Sequence, residues 1–563
     1  MALLRIFLNS DWTSVALTLI AVYISFYYYK YFSRKNKVPG PLPLPLIGNL
    51  LDAAKFGLNN APEWAFALSQ RYGEIYEIYL GSQKVVVISN AELMDKLMDP
   101  STKTNFFNRY PANSNLKELG YNGNGVFFNH NFENWKFNRK FLSKSLMSPK
   151  FQAETLQQQQ ESFCDASQYL DFISDENSGG SAGPTKINLA TTILNFNADL
   201  IIRMATGKKG GSLVNHLENT YSLENYTKTK KIKQNSGSNS VARELSIEFP
   251  KLTHEWGVDI LYIFSLPKWL RHYVPGFSHF NTKCVKHAKS LNDILYGIID
   301  EREKEIATLP KEADLESNLL TMLLTTNTER DPDRMIDVNG GFMGTLEKSE
   351  ISRILLEVCH GSIEETSWVF SLATYYILKI PNVQRKFLKE IETILSFDYE
   401  HQITFEDLKK FKYLNAIIHE TLRLFPPLPV MGRVNTTVDE VGGYKWEPDT
   451  LFWPFFQGLH MNEKHWSNPQ EFNPERFLNT NNGSNFEDDL SSMFEKNSYL
   501  PFGGGIRKCP GRNMAMVNIK SNLISLFRKY KVELADKNAP PMTGFTGVYQ
   551  FKELDVYLQP RNN

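Results

Sequence analysis

The first strong pattern along the chain is a run without charge. Trp12 to Tyr29 holds no ionisable acid or base of the Asp, Glu, Lys or Arg type, and its length is near the short limit for a membrane-spanning helix. The tyrosines at its end suit a membrane interface, and Lys30, Arg34, Lys35 and Lys37 follow at once. Positive flanks stay cytoplasmic, so the body is expected in the cytosol. A cleaved signal peptide is the competing reading. The segment lacks a strong basic stretch before the apolar run and a small-x-small cleavage site, and its cations lie on the wrong side. Val38-Pro39-Gly40-Pro41-Leu42-Pro43-Leu44-Pro45 comes next, and alternating prolines make a stiff extended spacer.

Beyond the spacer the periodicity changes repeatedly. Ala61 to Tyr72 reads as a helix, and Glu74 to Ile88 alternates as strand, turn at Gly81-Ser82, strand. Thr104 to Phe128 is rich in aromatics, Gly and Asn and is expected to be a loop. Helical spacing resumes at Asn134, and the apolar run from Ile187 predicts a helix to about Thr206. Asp175 to Thr185 and Lys208 to Ser240 are polar and read as inserted loops, as does Asn479 to Asn497. Glu248 to Phe280 is apolar and aromatic, whereas Pro310 to Asp337 is charged loop with a short helix around Leu319 to Leu324. Ser349 to Lys379 predicts a long helix ended by Pro381, Tyr413 to Leu424 another, and Asn513 to Leu526 a third. Val532 to Leu558 reads as short strands around a turn at Gly544 to Gly547.

Composition narrows the class. At 563 residues the chain can bury a large core. Lys+Arg 62 balances Asp+Glu 62, so net charge gives no sign of nucleic acid. The 38 Phe and 25 Tyr fit an apolar interior. Cys164, Cys284, Cys359 and Cys509 are far apart, which argues against a zinc or iron–sulfur site or a disulfide framework and for a reducing compartment.

The chemistry concentrates at Pro501-Phe502-Gly503-Gly504-Gly505-Ile506-Arg507-Lys508-Cys509-Pro510-Gly511-Arg512. A glycine-rich loop delivers one thiol to a helix start beside Arg507 and Arg512. Helix dipole and guanidinium charge lower a thiol pKa, so Cys509 is expected to ionise readily. The glycines permit close backbone approach to a flat partner. A thiolate with a bare backbone face suits a haem iron.

This loop resembles the cysteine-ligand signature of the haem-thiolate monooxygenases, the cytochrome P-450 superfamily. Phe502, Gly505, Arg507, Cys509 and Gly511 meet every fixed position of F-x-x-G-x-R-x-C-x-G. Other motifs follow in family order from about Pro39 to the end. Trp135 and Arg139 match W-x-x-x-R, which in the family contacts a haem propionate. Glu365-Thr366-Ser367 resembles the acid–alcohol element of the oxygen-activating helix, where a hydroxyl holds a water and a carboxylate relays protons. The small pair that usually precedes it is replaced by Ser362-Ile363, so Ile363 is expected to crowd the pocket or to shift the helix register. His360 and Glu364 are read as an i,i+4 contact on the helix surface. Glu420 and Arg423 match E-x-x-R, and Phe472-Asn473-Pro474-Glu475-Arg476-Phe477 matches F-x-P-E-R-F. The resemblance implies a structural triad of Glu420, Arg423 and Arg476. Arg433 falls at a second propionate-binding position, and Pro429, Val430 and Met431 at substrate-facing ones. The Glu248–Phe280 region corresponds to the cavity roof, and the Gly544–Gly547 turn to one that enters the pocket.

The implied fold is mainly α with a small β-sheet region, the cytochrome P-450 fold, preceded by one N-terminal transmembrane helix. Residues 1–37 form the anchor, 38–49 the proline-rich hinge and 50–563 the catalytic domain. The implied cofactor is haem b with Cys509 as axial ligand, Phe502 and Arg507 lying in the same cofactor loop. The implied activity inserts one oxygen atom from O2 into a lipophilic small molecule such as a fatty acid, sterol or terpenoid. No flavin or nicotinamide domain is evident, so electrons come from a separate NADPH-dependent cytochrome P-450 reductase, with a small b-type cytochrome as a further candidate donor. Lys136, Lys140, Lys144, Lys508 and Arg512 are candidates for its docking face. The expected place is the endoplasmic reticulum membrane, single-pass, with the catalytic domain cytosolic. The alternative is a haem-thiolate lyase or isomerase that rearranges a hydroperoxide without outside electrons; a haem binder without catalysis is a third class.

Overall fold

One long helix, Lys348–Lys379, runs through the two largest apolar clusters of the body. Ile351, Ile354, Leu355 and Ile363 are buried in one, and Trp368, Phe370, Leu372 and Ile377 in the other. A helix apolar on nearly all sides belongs in a core, and this central helix is one. The Glu350 carboxylate accepts the Glu347 N–H at 2.9 Å at its start, and Pro381 opens the next helix just beyond its end. Helix Leu189–Thr206 bridges the same clusters, Phe196 and Leu200 in one, Ile202 and Ala205 in the other. Helices Phe132–Met147, Pro149–Asn177, Phe249–Ser265, Phe277–Thr308, Lys412–Leu424 and Arg512–Lys529 complete a mainly α body. The computed structural model describes residues 12–57, 60–110, 115–120, 123–177, 184–221, 247–331, 333–335, 344–397, 401–478 and 494–561.

The expected hairpin is Ile75–Leu80 paired antiparallel with Gln83–Ile88. It is extended by chain from far downstream: Leu451–Pro454 lies parallel to Gln83–Ile88, and Arg433–Val434 pairs antiparallel with Leu451–Pro454. That pairing fixes Arg433 near the cavity. A second sheet joins Thr185–Asn188, Asp555–Pro560 and Tyr530–Leu534.

Trp12–Phe32 is a 21-residue helix, unburied throughout and the one described helix long and apolar enough to cross a membrane. The proline segment after it is docked rather than free. Glu77 N–H donates to Pro39 O at 2.8 Å, Val38 is fully buried, and Arg34 pairs with the buried Glu77 at 2.7 Å. A Cβ on Gly40 would lie 2.1 Å from Glu77 O.

Two sequence expectations shift. Ile187 belongs to a strand, opposite Val556, and the helix starts at Leu189 because Asn188 Oδ1 caps it by accepting the Thr191 N–H at 3.3 Å. Within Lys208–Ser240, Ser212–Tyr221 is a helix. Its first amides, Ser212 and Leu213, donate to Asp199 at 2.8 and 3.0 Å, and Leu213 and Leu217 are buried. Residues 222–240 of that stretch, most of Asp175–Thr185 and most of Asn479–Asn497 lie outside the described residues.

Candidate active site

The cysteine loop turns at Gly503 and Gly505, whose φ values of 68° and 65° are left-handed. Gly505 also runs against the chain at Met98, where a Cβ would lie 2.6 Å from the Met98 carbonyl oxygen. Cys509 N–H donates to Phe502 O at 3.0 Å, closing the loop. The Cys509 side chain faces an internal cavity with about 1750 Å³ of atom-free space, its open mouth included. The residue is exposed and lines that cavity.

Burial pushes the Cys509 thiol up, against the lowering effects of the Gly511 backbone N–H and the Arg139 and Arg109 charges. Arg507 is already engaged: it donates to Val126 O at 3.0 Å and Asn129 O at 2.9 Å. Arg512 lies over the Phe502 ring at 5.5 Å. A metal cation coordinated by this sulfur would deprotonate the thiol outright.

Across the cavity the central helix presents Glu357, Val358, Gly361, Ser362, Glu365 and Thr366. The helix is uninterrupted through this stretch, and Ile363 points into the core, 5 % exposed, away from the cavity. It neither crowds the pocket nor shifts the register. Ser362 takes the cavity-facing slot, its hydroxyl donating to Val358 O at 2.6 Å. Thr366 Oγ1 donates to Ser362 O at 2.6 Å and accepts from Asn197 Nδ2 at 3.3 Å. The same amide donates to Ser367 Oγ at 2.9 Å. Glu365 Oε2 is buried without a hydrogen-bond partner. Burial pushes the Glu365 carboxyl up to about 8, with the charge of Glu364 acting in the same direction. At neutral pH this side chain holds a proton beside the cavity.

His360 and Glu364 do not meet. Glu364 pairs with His254 Nδ1 at 2.5 Å and accepts from Gln550 Nε2 at 2.8 Å, while His360 Nδ1 lies 3.2 Å from Thr253 O. A helix packed against this face, Phe249–Ser265, supplies His254 and Thr253. Neither that helix nor the Gly544–Gly547 turn lines the cavity; Gly547 sits against Leu261. Among Pro429, Val430 and Met431, Met431 alone lines it, since Pro429 O accepts the Phe456 N–H at 2.8 Å and Val430 bridges to Phe455.

The rim is cationic. Arg109, Arg139, Arg433 and Arg507 all line the cavity, with Trp135 among them. Burial pulls Arg109 down to about 10 and Arg433 to about 9. Arg139 donates to Lys508 O at 2.6 Å, and Arg507 lies over the rings of Phe107 and Trp135 at 4.3 and 5.1 Å. Trp135 Nε1, Arg109 Nε and Arg507 Nε are buried with no hydrogen-bond partner. Orphaned donors on a cationic rim require acceptors. The propionates of a haem would supply them, and Cys509 would hold its iron; the residues present fit the group. Arg109 escaped the sequence reading, although a cation inside an aromatic loop was a signal.

Outside the cavity, Arg423 grips Glu420 with two bonds of 2.7 and 2.8 Å, both side chains fully buried. Arg476 Nε approaches Glu420 at 3.3 Å. Arg423 also donates to the carbonyls of His460, Pro469 and Glu471, tying the helix to the segment that leads to the cysteine loop. Lys144, a candidate for the docking face, pairs with Asp331 at 2.8 Å.

A thiol opposite an acid and an alcohol, under a basic rim on a helical body, defines a haem-thiolate oxidoreductase. Residues 38–556 match the family model described as Cytochrome P450, and the chain belongs to that family. It is a cytochrome P450 monooxygenase that binds haem through a cysteine thiolate and takes its electrons from a redox partner. Similar proteins include 6,7,8-trihydroxycoumarin synthase of Pastinaca sativa, 24% identical over 92% of this chain and 91% of that protein. Cytochrome P450 3A15 of Cavia porcellus is 26% identical over 94% and 92%. Tabersonine/lochnericine 19-hydroxylase of Catharanthus roseus is 27% identical over 91% and 90%. None of these names favours a lyase.

Proposed function

We propose that Cys509 would hold the haem iron as a thiolate, that Trp135, Arg109, Arg139 and Arg433 would hold the propionates, and that Glu365 with Thr366 handles protons across the cavity. Haem held by a thiolate supplies the activation of O2, the thiolate favouring O–O cleavage. The chain's own part is positional and acid–base. Glu365 keeps a proton at Oε1 or Oε2 beside the cavity. Thr366 Oγ1, with its hydrogen directed at Ser362 O, keeps a lone pair for a water. Arg507 and Phe502 fix the cysteine loop, and Glu420, Arg423 and Arg476 fix the backbone behind it. The observation that carries this reading is the orientation of Cys509 toward Glu365 and Thr366 across one cavity.

The substrate is a lipophilic small molecule: Val126, Phe127, Leu428, Met431 and Phe456 line the cavity, and similar proteins are named for a trihydroxycoumarin product and for tabersonine and lochnericine. Residues 1–37 anchor the chain, 38–49 form the hinge and 50–563 the catalytic domain, placed on the cytosolic face of the endoplasmic reticulum. The electron donor is the NADPH-dependent cytochrome P-450 reductase, with a small b-type cytochrome as auxiliary, docking near the exposed Lys136, Lys140 and Lys508. The test needs no known substrate. Membranes carrying the protein and the reductase should oxidise NADPH in an O2-dependent way that disappears in Cys509→Ala. NADPH oxidation indifferent to the protein would overturn the monooxygenase reading, and hydroperoxide rearrangement in its place would revive the lyase.

A further inference from the structure

The mechanism above makes no use of a second carboxylate on the cavity, Glu357, two turns before Glu365 on the central helix. It is bound to one short segment of the aromatic loop. Val126 and Phe127 N–H groups donate to Glu357 Oε2 at 2.6 and 2.8 Å, and Phe128 N–H reaches Oε1 at 3.4 Å. The carbonyls of the same segment point the other way, to a cation: Arg507 donates to Val126 O, Phe127 O and Asn129 O at 3.0, 3.5 and 2.9 Å. The peptide dipoles thus lie between a carboxylate and a guanidinium, an arrangement that strengthens hydrogen bonds on both sides.

Steric fit points to the same clamp. Gly125 has φ +85°, and a Cβ there would lie 2.4 Å from Arg353 Cγ and 2.8 Å from Glu357 Oε2. The loop reaches the carboxylate only because this residue is glycine. Arg353, one turn earlier on the helix, donates to Gly120 O at 3.0 Å. The ring carried by the clamped segment, Phe127, lines the cavity and lies under Arg109 at 4.2 Å.

We propose that Glu357 is a specificity-positioning residue: by holding three backbone amides it sets where Phe127 stands in the cavity relative to Cys509, and so which molecular shapes are admitted. This rests on the haem reading only for what lies beside Phe127; the clamp itself is a property of the chain.

The test uses full-length holoprotein in membrane-mimetic vesicles. Glu357→Ala removes the acceptor of these amides, so it should raise hydrogen exchange at Val126, Phe127 and Phe128 by about tenfold or more, with helix Lys412–Leu424 unchanged. Two azole ligands, imidazole and 4-phenylimidazole, are titrated by absorbance. The ratio of their dissociation constants should change by about tenfold, a typical consequence of moving a buried aromatic contact, and Phe127→Ala should give the same change without faster exchange. Glu357→Asp, which keeps the charge, should recover part of both effects. Glu357→Gln is read in the same way if the alanine variant fails to fold. Unchanged exchange overturns the clamp, and faster exchange with an unchanged ratio reduces Glu357 to a structural role. Absence of any azole response in the wild-type protein counts against the haem reading instead, and the exchange result still decides the clamp.

Discussion

Glu420 and Glu365 are carboxylates sunk in the same helical body, and their surroundings are opposite. Glu420 is fully buried and takes two bonds from Arg423, the Arg476 guanidinium and the Asn473 N–H at 2.8 Å. Glu365 has one oxygen with no partner and a second carboxylate as its sequence neighbour. Pairing and hydrogen bonding hold a buried acid ionised; isolation makes it keep its proton. The first arrangement ties helix Lys412–Leu424 to the chain approaching the cysteine loop. The second leaves a proton beside the cavity. Identical chemistry becomes a fastener in one place and a reagent in the other, and the difference lies in which guanidiniums are within reach.

The largest way to break this contrast is to strip the paired acid. Glu420→Ala leaves Arg423 buried without its carboxylate, a loss of about 3–5 kcal/mol out of a typical stability of roughly 5–15 kcal/mol. Thermal melting should show little folded holoprotein. Glu365→Gln should instead fold and bind haem, while oxygenated product from NADPH falls by about a hundredfold, the usual weight of a positioned acid. The same variant tests the proton. Glu365 holds it in the folded chain up to about pH 8 and releases it at its ordinary value of 4.5 when unfolded. The folded state binds more protons across that window, so stability falls as pH rises from 4.5 to about 8. In Glu365→Gln that fall should be shallower; an unchanged slope would mean the carboxyl is ionised. Arg476→Ala should cost only about 1 kcal/mol, because Arg423 still neutralises Glu420. Smallest of all, Asn197→Ala should lower the fraction of electrons reaching product by about threefold, in line with one neutral hydrogen bond to Thr366.

What the sequence made legible were the contiguous patterns. The loop around Cys509, the E-x-x-R and F-x-P-E-R-F elements, the helix ending before Pro381 and the Glu74–Ile88 hairpin each announce themselves within a dozen neighbours. Facing direction was harder. Ile363 was expected to crowd the pocket or to shift the helix register, yet helix phase turns it into the core and gives the cavity to the i,i+4 stripe Glu357, Gly361 and Glu365. Partners contributed from far away were invisible: Asn197 to Thr366, His254 to Glu364, Glu357 to the Val126–Phe128 amides. The surroundings of Cys509 were only half legible: nearby charges can be read from a sequence, but the enclosing protein that acts against them on the thiol cannot.

The measurement that bears most directly on this cavity is the difference spectrum of the reduced protein with and without carbon monoxide, taken on wild type and Cys509→Ala. The expected result is the strongly red-shifted band of a thiolate-ligated ferrous haem in the wild type and its loss in the variant. A band typical of histidine-ligated haem, or no haem in well-folded protein, would contradict the assignment of Cys509 as the ligand.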